Sequence, residues 1–294
     1  INTKNALKKA FFVRKIMKKE KFKKWLKKPS DCLIMGIVNT TPDSFSDGGK
    51  YNSASKAIDF AYDLLNEGAD IIDIGGESSR PGANPVSAEE EIRRISPVLN
   101  ELSKNTNSTI SIDTYKSSTA SYALDAGAYL VNDISGLTFD KEMVNIVSKY
   151  NVPIVIMHMK GTPKTMQKNT NYVSVIDEIC GFLNSQVNLA IDKNISSDKI
   201  IVDPGIGFGK TLNDNYKIIA KLKQFCELGY PVLVGPSRKS FIGNTLNEEV
   251  EERLEGSITA AAMCCKNGAK IVRVHDVKET KKSLLIVKKI IENS

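Results

Sequence analysis

Histidine is scarce in this chain: His158 and His275 are the only two among 294 residues. Neither has a second soft ligand at metal-site spacing, which argues against a structural zinc site. Tryptophan occurs once, as Trp25, so the chain has little of the flat surface that stacks on sugars. The five cysteines (Cys32, Cys180, Cys226, Cys264, Cys265) are scattered, with no C-x-x-C pair. That is the pattern of reduced, mostly buried thiols in a cytoplasmic protein rather than of a disulfide framework. No apolar run approaches the roughly 20 residues that span a bilayer. The Lys-rich start lacks a signal-type apolar stretch, so neither a membrane partner nor export is expected.

Hydrophobic residues make up 41% of the chain and charged residues 26%, enough apolar material for a sizeable core. The net charge of +7 is unevenly placed. Residues 1–28 hold 12 Lys/Arg against one acid, Glu20, while the remainder carries 29 basic and 33 acidic residues. A basic body would point to nucleic acid; an excess confined to one tail does not. Phe11, Phe12, Val13, Ile16, Met17, Phe22, Trp25 and Leu26 are interleaved with that charge. The tail reads as a connector helix resting its apolar stripe on the body, with membrane-surface or nucleic-acid contact as alternatives. The expected division is a basic N-terminal extension or linker over 1–28 and one domain over 29–294. The chain begins with Ile rather than Met, which raises the expectation of sequence upstream.

Eight short β-like runs recur: Leu33–Asn39, Asp70–Gly75, Thr109–Asp113, Tyr129–Asp133, Pro153–His158, Lys199–Asp203, Pro231–Gly235 and Lys270–His275. Most are continuous Val/Ile/Leu runs, as expected for parallel strands buried on both faces. Stretches of helical period lie between them, several closed by Gly68, Gly127, Gly229 and Asn267-Gly268. Strand–helix alternation repeated eight times predicts an α/β fold, a single-domain (βα)8 TIM barrel, with a doubly wound open sheet as the rival. Polar residues gather at the strands' C-terminal ends: Asn39, Glu77, Asp113, Asn132-Asp133, His158, Asp203, Ser237-Arg238-Lys239, Arg273 and His275. A barrel brings those ends to one face.

Three segments and two groups of strand-end residues carry the chemistry. Asn39-Thr-Thr-Pro-Asp-Ser-Phe-Ser-Asp-Gly-Gly49 is long for a strand–helix loop, and its amide, hydroxyls and carboxylates suit a hydrated Mg²⁺. Gly75-Gly-Glu-Ser-Ser-Arg-Pro-Gly82 has the small residues and the arginine of an anion cradle. Asp203-Pro-Gly-Ile-Gly-Phe-Gly-Lys-Thr211 imitates a P-loop but has Pro204 where the first glycine belongs, and its glycine spacing is not that of a dinucleotide site. Asp113 and Asp203 with the amide of Asn132 suit a flat heterocycle rich in N–H donors. Lys239, Arg273 and His275 bring positive charge from strands 7 and 8, where barrels commonly bind phosphate. Two carboxylates would also serve a glycosidase, which the lone tryptophan disfavours.

These segments, with Met157-His-Met, Gly161-Thr-Pro-Lys-Thr-Met-Gln, Ser237-Arg-Lys-Ser and Arg273-Val-His275, resemble the signatures of the dihydropteroate synthase family, in order, from about Leu33 to the C-terminus. The resemblance implies a transferase of folate biosynthesis and a sulfonamide target. It would condense 6-hydroxymethyl-7,8-dihydropterin diphosphate with 4-aminobenzoate. By the same resemblance Asp113, Asn132, Asp203 and Lys239 bind the pterin, while Met157 and Phe208 shape its pocket. Arg80, Arg273, His275 and Asn39 hold the diphosphate, and Asn39 reaches Mg²⁺. Phe45, Pro81, Ser237 and Ser240 border the 4-aminobenzoate. Ser79 stands where many relatives have Thr and keeps the hydroxyl. The family is commonly a homodimer, and some relatives are fused behind a pyrophosphokinase. A pterin-binding methyltransferase and a catalytically silent scaffold barrel are the alternatives.

Overall fold

Continuous apolar runs become strands here because each strand has a buried neighbour on both faces. The computed structural model describes residues 17–41, 49–168 and 170–294. The strands are β1 (Leu33–Asn39), β2 (Ile71–Gly75), β3 (Thr109–Asp113), β4 (Leu130–Asp133), β5 (Ile154–Met157), β6 (Ile200–Asp203), β7 (Leu233–Val234) and β8 (Ile271–Val274). They form one sheet in the order β6-β5-β4-β3-β2-β1-β8-β7, every pairing parallel. A parallel bridge between Val202 and Val232 joins the two edges and closes the barrel. The open sheet is thereby excluded.

Alternate strand residues divide between two apolar layers. Ile34, Val38, Ile72, Ile74, Ile112 and Val131 point outward into the shell between sheet and helices. Leu33, Met35, Ile71, Leu130, Val155, Ile201, Leu233 and Ile271 fill the lower half of the barrel. Above them the interior turns polar, with Asp73, Ser111, Asp113, Asn132 and Asp203 all buried.

The tail contributes α1 (Lys19–Lys27), whose Phe22, Trp25 and Leu26 fall on one face at i, i+3 and i+4. With Met17 they join the lower barrel layer, so this helix plugs the end opposite the polar one. Phe22 stacks on Trp25 with ring centroids 5.6 Å apart. Trp25 Nε1 donates to the Asp31 carbonyl at 3.0 Å. Phe11, Phe12, Val13 and Ile16 lie outside the described residues.

The remaining helices are α2 (Gly49–Glu67), α3 (Ala88–Asn105), α4 (Ser117–Asp125), α5 (Met143–Tyr150), α6 (Val175–Asp192), α7 (Leu212–Ala220), α8 (Leu222–Cys226), α9 (Ser240–Leu246), α10 (Leu254–Lys266) and α11 (Val277–Glu292). The four stop glycines, Gly68, Gly127, Gly229 and Gly268, all take positive φ. Two short helices, α5 and α9, have no counterpart in the periodicity; neither has a side-chain N-cap, and both end on left-handed asparagines, Asn151 and Asn247. The helical stretch between β6 and β7 breaks at Lys221 into α7 and α8.

Candidate active site

Parallel register aligns the strand ends. Asn39 lies beside Gly75, Gly75 beside Asp113, Asp113 beside Asn132, and Met157 beside Asp203. At the centre of this ring stands Arg273 of β8. Its Nε donates to Asp73 Oδ2 and its Nη2 to Asp113 Oδ2, each at 2.6 Å. Asn132 Nδ2 donates to the same Asp73 oxygen at 3.0 Å. One fully buried carboxylate therefore orients an arginine from β8 and an amide from β4. With Nδ2 turned to Asp73, Asn132 Oδ1 is left as its acceptor. Burial raises the Asp113 carboxyl well above its ordinary range; Arg273 opposes this and Asp73 adds to it. Burial alone would lower Arg273, but Asp73 and Asp113 outweigh it and the guanidinium stays charged.

On the far side of the ring, Asp203 Oδ1 accepts from the Gly205 amide at 2.7 Å. Burial pushes its carboxyl up to about 6, against the pull of that amide and of Lys210, Lys239 and Arg273. Phe208 packs with Ile134, Met157 and Met166. Lys239 Nζ sits 3.9 Å from the centre of the Phe208 ring, a cation–π contact. Burial and the neighbouring Arg273 draw Lys239 down to about 8, with Asp203 and Asp113 resisting.

The loop after β7 is held in an uncommon shape. Arg238 adopts φ 56°, a left-handed conformation that costs a non-glycine residue roughly 1 kcal/mol or more. Its amide donates to Ser257 Oγ at 2.9 Å, its carbonyl accepts from Arg253 Nη1 at 3.2 Å, and its guanidinium grips Asp276 at 2.5 and 3.1 Å. Ser237 and Lys239, on either side, are thereby presented to the barrel mouth. Ser237 Oγ lies 3.0 Å from His275 Nδ1. Burial, with Arg273 next, lowers His275 to about 3. His275 is therefore a neutral hydrogen-bonding group, not the positive charge its sequence position suggests.

The loop after β2 rests on a largely buried ion network. Lys116 Nζ bridges Glu77 at 2.7 Å and Glu91 at 2.9 Å, and Tyr115 donates to Glu77 at 2.7 Å. Beyond Glu77 the loop is open: Arg80 and Pro81 are exposed. Gly82 N donates to the carbonyl of Pro163, in the loop after β5, at 3.1 Å.

A cavity of about 490 Å³ opens at this face, and Asn39, Ser79, Arg80, Pro81, Ser237, Lys239, Ser240, Arg273 and His275 all line it. An adjoining recess is lined by Asn132, Met157, Asp203 and Phe208, sharing Ser79, Lys239 and Arg273 with the larger space. Asp113 reaches the recess through Arg273. Phe45 lies outside the described residues. Asp73 and Arg238 carry no role in the sequence reading. A charge inside the apolar run Ile71–Gly75 was the available signal for Asp73, since an acid in a buried strand needs a partner. Nothing in the sequence marks the left-handed Arg238.

Among the described residues no three His, Cys, Asp or Glu side chains converge as a metal site. Asn39 supplies one hard oxygen donor on the cavity wall. One such donor fits Mg²⁺ shared with phosphate oxygens and water, and does not fit a protein-only cage.

A barrel mouth lined with paired acids, an oriented amide and fixed cations defines a small-molecule enzyme of the (βα)8 class. The chain belongs to the pterin binding enzyme family, which matches residues 35–275. It is 48% identical over 248 residues to the dihydropteroate synthase of Synechocystis, covering 83% of this chain and 85% of the relative. A Clostridium difficile dihydropteroate synthase solved in the presence of pteroic acid superposes with TM-score 0.85 at 42% identity, covering 89% of this chain and 97% of that one. A Xanthomonas albilineans dihydropteroate synthase solved with 4-aminobenzoic acid gives TM-score 0.84 at 40% identity, covering 89% and 94%.

Proposed function

We propose that this chain is a dihydropteroate synthase, joining 6-hydroxymethyl-7,8-dihydropterin diphosphate to the amine of 4-aminobenzoate with release of diphosphate. The observation that carries the reading is one recess lined by Asn132 and Asp203, with Asp113 joined to it through Arg273, opening directly into a cavity walled by Lys239, Arg273 and Arg80. The similarity to enzymes solved with pteroic acid and with 4-aminobenzoic acid supports both substrates.

In this reading the carboxylates of Asp113 and Asp203 accept the amino and ring N–H groups of the pterin, and Asn132 adds its oriented carbonyl. Met157 and Phe208 flank the ring. Arg273, Lys239 and the exposed side chain of Arg80 stabilise charge as it develops on the diphosphate, and neutral His275 contributes a hydrogen bond. The C–O bond then breaks early, in an SN1-like step, leaving a cation delocalised into the pterin. The aryl amine, bordered by Pro81, Ser237 and Ser240, attacks that carbon, so no strong base or covalent enzyme intermediate is needed. Asn39 would hold Mg²⁺, which when bound adds positive charge against the departing diphosphate.

Incubation with the pterin diphosphate, Mg²⁺ and 4-aminobenzoate is expected to yield dihydropteroate and diphosphate in equal amounts. Absence of both above background would overturn the assignment. Homodimerisation is part of the same proposal: Met263 of α10 and Leu285, Ile286 and Ile290 of α11 are exposed apolar side chains on two packed helices. A monomeric mass in sedimentation at micromolar concentration would remove it.

A further inference from the structure

Lys210 closes the glycine-rich loop after β6 and is 3% exposed. A buried ammonium is costly unless its donors are met, and three polar atoms stand within hydrogen-bond distance of the Lys210 nitrogen. They are His158 Nδ1 at 2.9 Å, the His158 carbonyl at 3.2 Å and the Phe208 carbonyl at 3.0 Å. Two of these belong to the end of β5 and one to the loop itself, so the amine joins two segments. With Nδ1 accepting, the His158 ring proton lies on Nε2. Edge contact with Phe182 at 5.0 Å holds that ring in place.

The loop also crosses β5 without room to spare. Gly205 has φ 71°, and a Cβ there would stand 2.0 Å from the same His158 carbonyl. The Lys210 contacts and this close approach together tie the backbone that carries Phe208 to the end of β5. The Phe208 ring is the floor on which Lys239 rests.

We propose that Lys210 is a positioning residue for pterin recognition: through His158 and the Phe208 carbonyl it sets the Phe208 ring beneath Lys239 at the wall of the recess. This rests on the pterin-binding reading above, because its effect is expected on one substrate and not the other.

The test is steady-state kinetics of Lys210→Met, with thermal unfolding followed by circular dichroism to establish that the variant folds. The KM for the pterin diphosphate is expected to rise tenfold or more, while the KM for 4-aminobenzoate stays within twofold. Lys210→Gln, which keeps hydrogen-bond donors, should show a smaller rise. Unchanged KM values, or both rising together, would overturn the proposal. Nitrogen-15 NMR of the histidines in the wild-type protein gives a check that needs no variant to fold. His158 is expected as the Nε2–H tautomer, and a proton on Nδ1 would overturn the contact on which everything here depends. Absence of turnover in the wild-type enzyme would count against the proposed function instead, and the NMR result would still decide whether Lys210 holds the loop.

Discussion

Arg273 and Asp113 meet at 2.6 Å across the barrel mouth although 160 residues separate them in the chain. Asp73 accepts from Nε of the same guanidinium, also at 2.6 Å. A single cation thus lies between two buried carboxylates, and its removal leaves Asp73 only the Asn132 amide and Asp113 only the charge of Lys239. Arg273→Ala is expected to lower unfolding free energy by about 3–5 kcal/mol, the usual effect of breaking a buried pair. Urea denaturation measures this; a midpoint within error of wild type would show that the carboxylates find other partners.

Asp73→Asn keeps the shape of the side chain but removes the charge that binds Arg273 and fixes the Asn132 amide. Affinity for a pterin ligand, measured by titration calorimetry with pteroic acid, is expected to fall by roughly tenfold, equivalent to about 1.4 kcal/mol. Equal affinity would show that Asn132 needs no orienting partner.

Lys239→Ala removes fixed positive charge from the cavity wall without opening the apolar layers below. Turnover is expected to drop by about 100-fold or more, with the unfolding transition little changed. Near-normal rates would remove Lys239 from the proposed role.

Asp203 titrates from an ordinary 3.8 to about 6 because burial disfavours its charged form. Its folded pKa lies above the unfolded one, so the protonated folded state is the favoured one. The stability it contributes is full below about pH 4 and is lost as pH rises through about 6. Asp203→Asn should therefore be more stable than wild type at pH 7, by on the order of 2–3 kcal/mol, and similar to it at pH 4, while losing pterin affinity. Urea midpoints at the two pH values decide this, and a variant less stable at pH 7 contradicts it.

His275 is held neutral, with its pKa drawn down to about 3. Its ring resonances are expected to stay unshifted in an NMR titration from pH 8 to pH 5. A protonation midpoint near 6.5 would restore it as a source of positive charge.

The eight strands were legible because strands of a parallel barrel are buried on both faces and therefore read as unbroken apolar runs. β1 and β3 have the same limits in sequence pattern and structure, and the others differ by a residue or two at their ends. Helices α5 and α9 were not legible, because at seven or eight residues they are too short to show a period and carry no side-chain cap. The tail's apolar stripe was visible, and Phe22, Trp25 and Leu26 do bury a face, but only the fold shows that this face plugs the barrel floor.

The sequence by itself determined the alternation of elements, the set of polar strand ends and the family signatures that name their chemistry, since these are matters of residue type and spacing. Tertiary structure alone decided how the charges pair and which survive burial. Asp73 became the hub because parallel register and barrel closure bring β2, β4 and β8 around one point. His275 lost its expected charge because desolvation beside Arg273 outweighs its intrinsic basicity. Such outcomes depend on distance and local dielectric between residues far apart in the chain, which linear order does not specify.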